Sequence, residues 1–120
     1  MPETAATKVI LCVDDHVPSL MLRKLILENA GFTVVTAENA TDGLARLQES
    51  HVDLAIVDYY LPDMDGTKLA IEIKTQRPGL KILMMSGSIE EPGMRDSVDG
   101  FLTKGGPTRE FLDLVRKLIA

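Results

Sequence analysis

The sequence predicts an α/β protein of the (βα)5 kind, a doubly wound parallel sheet of five strands. Three observations carry this. Short apolar runs rich in β-formers alternate along the chain with segments of helical periodicity. The runs at residues 8–13, 52–57 and 81–85 are apolar nearly throughout, so both of their faces need cover, the mark of a parallel sheet flanked by helices. The 120 residues are one domain's length, enough to bury a core without staples.

The elements follow in order. Residues 8–13 form the first strand. Residues 17–30 carry apolar side chains at 20, 21, 22, 25, 26 and 27, a broad helical stripe; Pro18 suits its first turn and Gly31 its C-terminal stop. Residues 32–36 are the second strand. Asn39 caps a helix reaching Glu49, weakened by Gly43. The third strand, 52–57, is followed by a helix over 67–76 that stops ahead of Pro78. The fourth strand is 81–85. Residues 89–97 are a poor helix, interrupted by Pro92 and Gly93. The fifth strand is 100–103, and Pro107 opens a last helix that runs to the end.

Composition narrows the function. The formal net charge of -5 argues against a nucleic-acid surface, which needs a basic patch. The single cysteine, Cys12, lies in an apolar run and reads as a buried, inert thiol. The first eight residues, MPETAATK, have neither a basic start nor an apolar segment, and no run approaches the ~20 residues of a membrane span. The expectation is a cytoplasmic protein with a disordered tail at 1–7 and one domain over 8–120.

The chemistry-bearing residues gather at one edge. Ligands of open α/β sheets bind beyond the carboxyl ends of the strands. Strand one ends in Asp14-Asp15, strand three in Asp58, strand four in Ser86 and strand five in Lys104. Each alone has an ordinary reading: a turn former or helix cap for the acids, plain loop for Ser86, a solvated surface group for Lys104. Together, three acids at adjacent strand ends repel and call for a counter-ion. Hard carboxylate oxygens suit Mg²⁺. A carboxylate is also a nucleophile toward phosphorus. Asp58 is the candidate, with the Ser86 hydroxyl and the Lys104 ammonium placed to hold the other phosphoryl oxygens.

The stretches VDDH (13–16), VDYYLPDMDG (57–66), MMSGS (84–88) and FLTK (101–104), in this order and spacing, resemble the receiver domain of two-component response regulators, the CheY-like family, over residues 8–119. The resemblance implies the flavodoxin-like strand order 2-1-3-4-5. It implies that Asp58 is the phosphoacceptor, that Asp15 binds Mg²⁺ directly and Asp14 mainly through water, and that the Tyr60 backbone carbonyl is a further metal ligand. Ser86 matches the switch hydroxyl, Lys104 the lysine that contacts the phosphoryl group, and Phe101 the aromatic that turns inward after Ser86 moves. Tyr60 and Ser88 stand where the lifetime of the phosphorylated form is tuned. The implied donor is a histidine kinase or histidine phosphotransfer protein. The implied target is a downstream protein or output domain, with a homodimer as one possible assembly. Such a domain catalyses only its own phosphorylation and autodephosphorylation.

Two departures from the family pattern stand out. Lys104 is followed by Gly105-Gly106-Pro107 rather than directly by proline; a cis bond before glycine costs ~2.5–4 kcal/mol, so a trans bond is expected. The stretch from Ser86 to Lys104 is short, so the fourth helix should be shortened, distorted or missing and residues 88–98 mobile. In the last helix, Phe111, Leu114, Val115 and Leu118 form the core stripe, while Leu112 and Ile119 fall off it and are expected to be exposed. The chain ends after that helix, as in a single-domain regulator or a receiver cut from a longer protein.

Three other functions compete. A degenerate receiver would bind partners without being phosphorylated. A haloacid-dehalogenase-type phosphatase wants a second acid two residues past the nucleophile, where Tyr60 stands. A flavodoxin-like FMN carrier wants a hydroxyl- and glycine-rich loop after strand one, where Asp14-Asp15-His16 would repel a phosphate. One histidine beside two acids is too little to make His16 a metal ligand.

Overall fold

A computed structural model describes residues 7–87, 93 and 95–120. Five strands, β1 (Val9–Val13), β2 (Thr33–Ala37), β3 (Leu54–Asp58), β4 (Lys81–Ser86) and β5 (Gly100–Thr103), pair in parallel in the order β2-β1-β3-β4-β5. The described helices are α1 (Val17–Asn29), α2 (Ala40–Glu49), α3 (Gly66–Gln76) and α4 (Thr108–Ile119). None is long and apolar enough to cross a membrane.

Alternation along the central strands divides the core in two. Leu11, Val13, Ala55 and Val57 pack with Leu47 of α2 and Leu69 and Ile73 of α3. Ile10, Cys12, Leu54 and Ile56 pack with Leu20 and Leu27 of α1 and Phe111 and Val115 of α4. β3 is buried along its whole length, Asp58 included. A strand covered on both faces has no solvent side for alternation to mark, which is why it reads as a continuous apolar run.

The boundaries move by a residue or two. β2 begins at Thr33 and takes in Ala37, β3 begins at Leu54 rather than 52, and β4 extends to Ser86. α3 starts at Gly66, which has to be glycine: a Cβ there would stand 2.6 Å from the Asp58 carbonyl oxygen. Asp65 caps this helix by accepting the Lys68 N–H, and Asn39 caps α2 by accepting the Asp42 N–H. A second carboxylate serves α2 from a distance. Asp63, in the loop after β3, accepts the Ala40 and Thr41 N–H groups, both at 2.9 Å.

Asp99 fastens the entry to β5. Its Oδ2 accepts the Ile82 N–H at 2.8 Å and the Lys74 ammonium at 2.7 Å, while its own N–H donates to the Ile82 carbonyl. Between β4 and β5, residues 95–97 form turns, and no helix occurs there among the described residues. The rest of the segment expected to be a shortened helix, and its mobility, lie outside them. Lys104–Gly105 is trans, as expected, with Gly105 at φ 85°.

Two expectations about helix faces are corrected. Leu112 and Ile119 are half-buried and pack against the core beside Leu114 and Leu118. Four of the exposed large apolar side chains among the described residues lie instead on α1, at Val17, Met21, Leu22 and Leu25, with Leu22 58% exposed; the others are Tyr60 and, on α3, Ile71. The buried face of α1 runs through Leu20, Arg23 and Leu27. The apolar stripe of this helix is wider than the face it can bury, and the face that turns inward contains an arginine.

Candidate functional site

The sheet register brings the predicted residues together. Val13 pairs with Val57, Asp58 with Met85, and Ser86 with Thr103, so Asp14, Asp58, Ser86 and Lys104 leave the sheet at one carboxyl edge. Asp14 and Ser86 are fully buried and Asp58 is 5% exposed, whereas Asp15 faces solvent. One carboxylate oxygen from each of Asp14, Asp15 and Asp58 lies within 4.8 Å of the others.

Lys104 answers this concentration of charge. Its Nζ stands 2.8 Å from Asp14 Oδ2 and 3.4 Å from Asp58 Oδ2. Its backbone N–H donates to the Ser86 carbonyl at 2.9 Å, a β4–β5 bond that seats the lysine despite the two glycines after it. Asp14 has further partners: Oδ1 accepts the His16 N–H at 2.9 Å, and Oδ2 accepts Arg23 Nη1 at 3.2 Å.

The two buried acids respond in opposite directions. Burial works against ionisation of Asp14, but the Lys104 hydrogen bond, the His16 N–H and the charges of Lys104 and Arg23 outweigh it and hold this carboxyl below its ordinary value. Burial pushes Asp58 upward; Lys104 offsets part of that, and the neighbouring Asp14 and Asp15 add to it, so Asp58 stays above the ordinary value. Of the two buried acids, Asp58 is thus the one whose charge is less compensated. Three hard oxygen donors, one of them the under-neutralised Asp58 carboxylate, match a hydrated divalent cation, which takes few protein ligands and keeps its waters.

The flanking aromatics are also placed. Tyr60 is 49% exposed, stacks edge-on to Tyr59 at 4.7 Å between ring centroids, and bridges to Asp65. Phe101 is buried with the Arg95 guanidinium 4.9 Å from its ring centroid.

Sequence reasoning missed the structural roles of three residues. His16 is the N-cap of α1, its ring nitrogen accepting the Ser19 N–H; histidine is outside the usual capping set, so nothing flagged it. Asp63 caps across 23 residues of chain, beyond any local pattern. Arg23 had one visible signal, a cation set inside the apolar run from Leu20 to Leu27.

Fold and site together define a doubly wound α/β domain with a carboxylate–lysine pocket at the carboxyl edge of its sheet. The chain belongs to the response regulator receiver domain family, whose pattern it matches over residues 10–116. It is 38% identical over 99 residues to the transcriptional regulatory protein GlrR of Escherichia coli (strain K12), covering 79% of this chain and 22% of that protein. It is 29% identical over 116 residues to the alkaline phosphatase synthesis transcriptional regulatory protein PhoP of Bacillus subtilis (strain 168), covering 93% and 48%. The chain therefore spans between about a fifth and a half of these curated relatives. Among solved structures, a CheY-like receiver domain protein from Methanospirillum hungatei JF-1 superposes with a TM-score of 0.88 at 33% identity, covering 93% of each chain. The response regulator TrrA of Thermotoga maritima, solved in complex with Mg²⁺ and BeF, superposes with a TM-score of 0.88 at 28% identity, covering 93% of this chain and 99% of that one.

Proposed function

We propose that the chain is the phosphoacceptor of a two-component phosphorelay. An oxygen of Asp58 attacks the phosphorus of a phosphohistidine on a histidine kinase or histidine phosphotransfer protein. The new P–O bond replaces the N–P bond, and the departing imidazole takes up a proton. Water later cleaves the aspartyl phosphate, so the domain turns over no substrate but its own modification. The observation that carries this reading is the position of Lys104 Nζ between Asp14 and Asp58, 3.4 Å from the latter, in a pocket of three converging carboxylates.

Asp15 and Asp58, the Tyr60 backbone carbonyl, and Asp14 through water would hold Mg²⁺, which when bound neutralises charge on the transferring group. Lys104 moves from Asp58 to a phosphoryl oxygen, its charge already at the right edge of the sheet. The Ser86 hydroxyl takes a second phosphoryl oxygen, and Phe101, whose ring is already buried here, is its partner in the switch that a downstream protein or output domain reads. The activity belongs to the cytoplasm, where such kinases present their phosphohistidine. Direct nucleic-acid binding by this domain is not part of the reading, because its net charge is -5. A homodimer is one form the switched state can take.

Intact mass after incubation with acetyl phosphate and Mg²⁺ tests the reading, with Asp58→Ala as control. The expected result is one added phosphoryl group, lost in the control and with EDTA. Absence of the adduct, together with failure to bind beryllofluoride, would leave a receiver that binds partners without being phosphorylated.

A further inference from the structure

Arg23 is the one charged residue on the buried face of α1, 8% exposed and in line with Leu20 and Leu27. A guanidinium in that position needs a counter-charge, and Asp14 provides it at 3.2 Å. Asp14 is partnered on both oxygens: Oδ1 is held by the His16 N–H, and Oδ2 is shared by Arg23 and Lys104. Lys104 serves two carboxylates, Asp14 and Asp58; Arg23 serves Asp14. The two cations also differ in freedom. Lys104 is a flexible stem next to glycines, while Arg23 is anchored on a helix packed into the core. Both border a cavity of about 240 Å³ between α1, β5 and the start of α4, which Asp15 and Asp58 do not line. Asp14 does not line it either, so both cations stand between this cavity's lining and a carboxylate outside it.

We propose that Arg23 is a positioning residue of the site, a fixed internal counter-ion of Asp14 that sets the affinity for a divalent cation and frees Lys104 to leave. With Arg23 in place, the departure of Lys104 toward a phosphoryl group does not strand a buried carboxylate. The cost is electrostatic: a permanent positive charge beside one of the three acids weakens cation binding. This proposal rests on the phosphoacceptor reading, but its test does not.

The test is a Mn²⁺ titration followed by the electron paramagnetic resonance of the free ion, repeated with Mg²⁺ as competitor. Arg23→Met keeps an unbranched apolar stem and removes the guanidinium with its charge; its cation affinity should be tighter by about tenfold, the scale of one charge acting through partly screened surroundings on a divalent ion a few ångströms further off. Arg23→Lys should stay near the wild-type value, because it keeps the charge. On the wild-type protein, which avoids any folding defect of the variants, the Arg23 side-chain nitrogen signals in NMR should shift in step with Mg²⁺ occupancy. Equal or weaker affinity in Arg23→Met, or an Arg23 signal indifferent to Mg²⁺, would overturn the proposal and leave Arg23 as a packing residue. Wild-type protein that binds neither cation would instead defeat the metal-dependent reading of the site itself.

Discussion

Replacing Asp58 by asparagine should stabilise the metal-free protein, although it removes a charge held by Lys104. At an effective dielectric of about 20, the Lys104 ammonium at 3.4 Å attracts the Asp58 carboxylate by ~5 kcal/mol, and Asp14, with an oxygen within 4.8 Å, repels it by ~3.5 kcal/mol or more. Asp15 adds a screened repulsion. The charge interactions nearly cancel, so the burial of Asp58 decides the sign, in agreement with its upward-shifted pKa. Asp58→Asn should gain about 1–2 kcal/mol, read as a rise in Tm of roughly 4–10 °C in EDTA. Because the folded-state pKa is raised, the penalty for ionising Asp58 is absent below the unfolded value of about 4 and is complete above the folded one. The advantage of the variant should therefore grow from acid to neutral pH. Saturating Mg²⁺ should narrow it, since the wild type gains binding free energy that the variant, missing one carboxylate, largely forgoes. Asp14→Asn should do the reverse, losing about 3–5 kcal/mol because Arg23 is left buried without its counter-charge. Its folded-state pKa is depressed, so that stabilisation is present at neutral pH and is lost as pH falls through the folded value. An Asp58→Asn protein less stable than the wild type in EDTA at pH 7 would refute the reasoning.

Two further outcomes are expected. Gly66→Ala forces a Cβ to 2.6 Å from the Asp58 carbonyl oxygen and 2.7 Å from Tyr59 Cα, both main-chain atoms that cannot rotate away, so chemical denaturation should show a loss of about 2–3 kcal/mol. The Cys12 thiol, wholly buried and pushed up to about 12 mainly by that burial, should resist thiol reagents at pH 8 in the native state, with labelling only as fast as the protein opens; prompt stoichiometric labelling would contradict its place in the core.

Much of this fold was legible because the information was local. Continuous apolar runs gave the central strands, and β1, β3, β4 and β5 each end in or beside a polar residue at the shared edge, since a buried parallel strand leaves its carboxyl end as the place where polar groups can emerge. The gathering of Asp14, Asp15, Asp58, Ser86 and Lys104 at one edge was legible in this way. The rotation of α1 was not legible. Six apolar positions on it outnumber those one face can bury, and the electrostatic demand of Asp14, a long-range property, draws Arg23 inward while Leu22 and Leu25 face out. Leu112 and Ile119 failed for a related reason: helical spacing marks the centre of a buried stripe but not its width, and α4 packs broadly enough to half-cover both.

The crossing from β4 to β5 is clamped at either end. At the site, the Lys104 N–H is bonded to the Ser86 carbonyl; at the far end, Asp99 is bonded to Ile82 through main chain and side chain. A span tied off at both abutments transmits little of its own length to the piers. Residues can be lost from it, or inserted, at a closure cost that grows only logarithmically with length, while the spacing between serine and lysine stays that of two neighbouring strands. The carboxylate–lysine pocket is thereby insulated from changes of length in the crossing between these two strands.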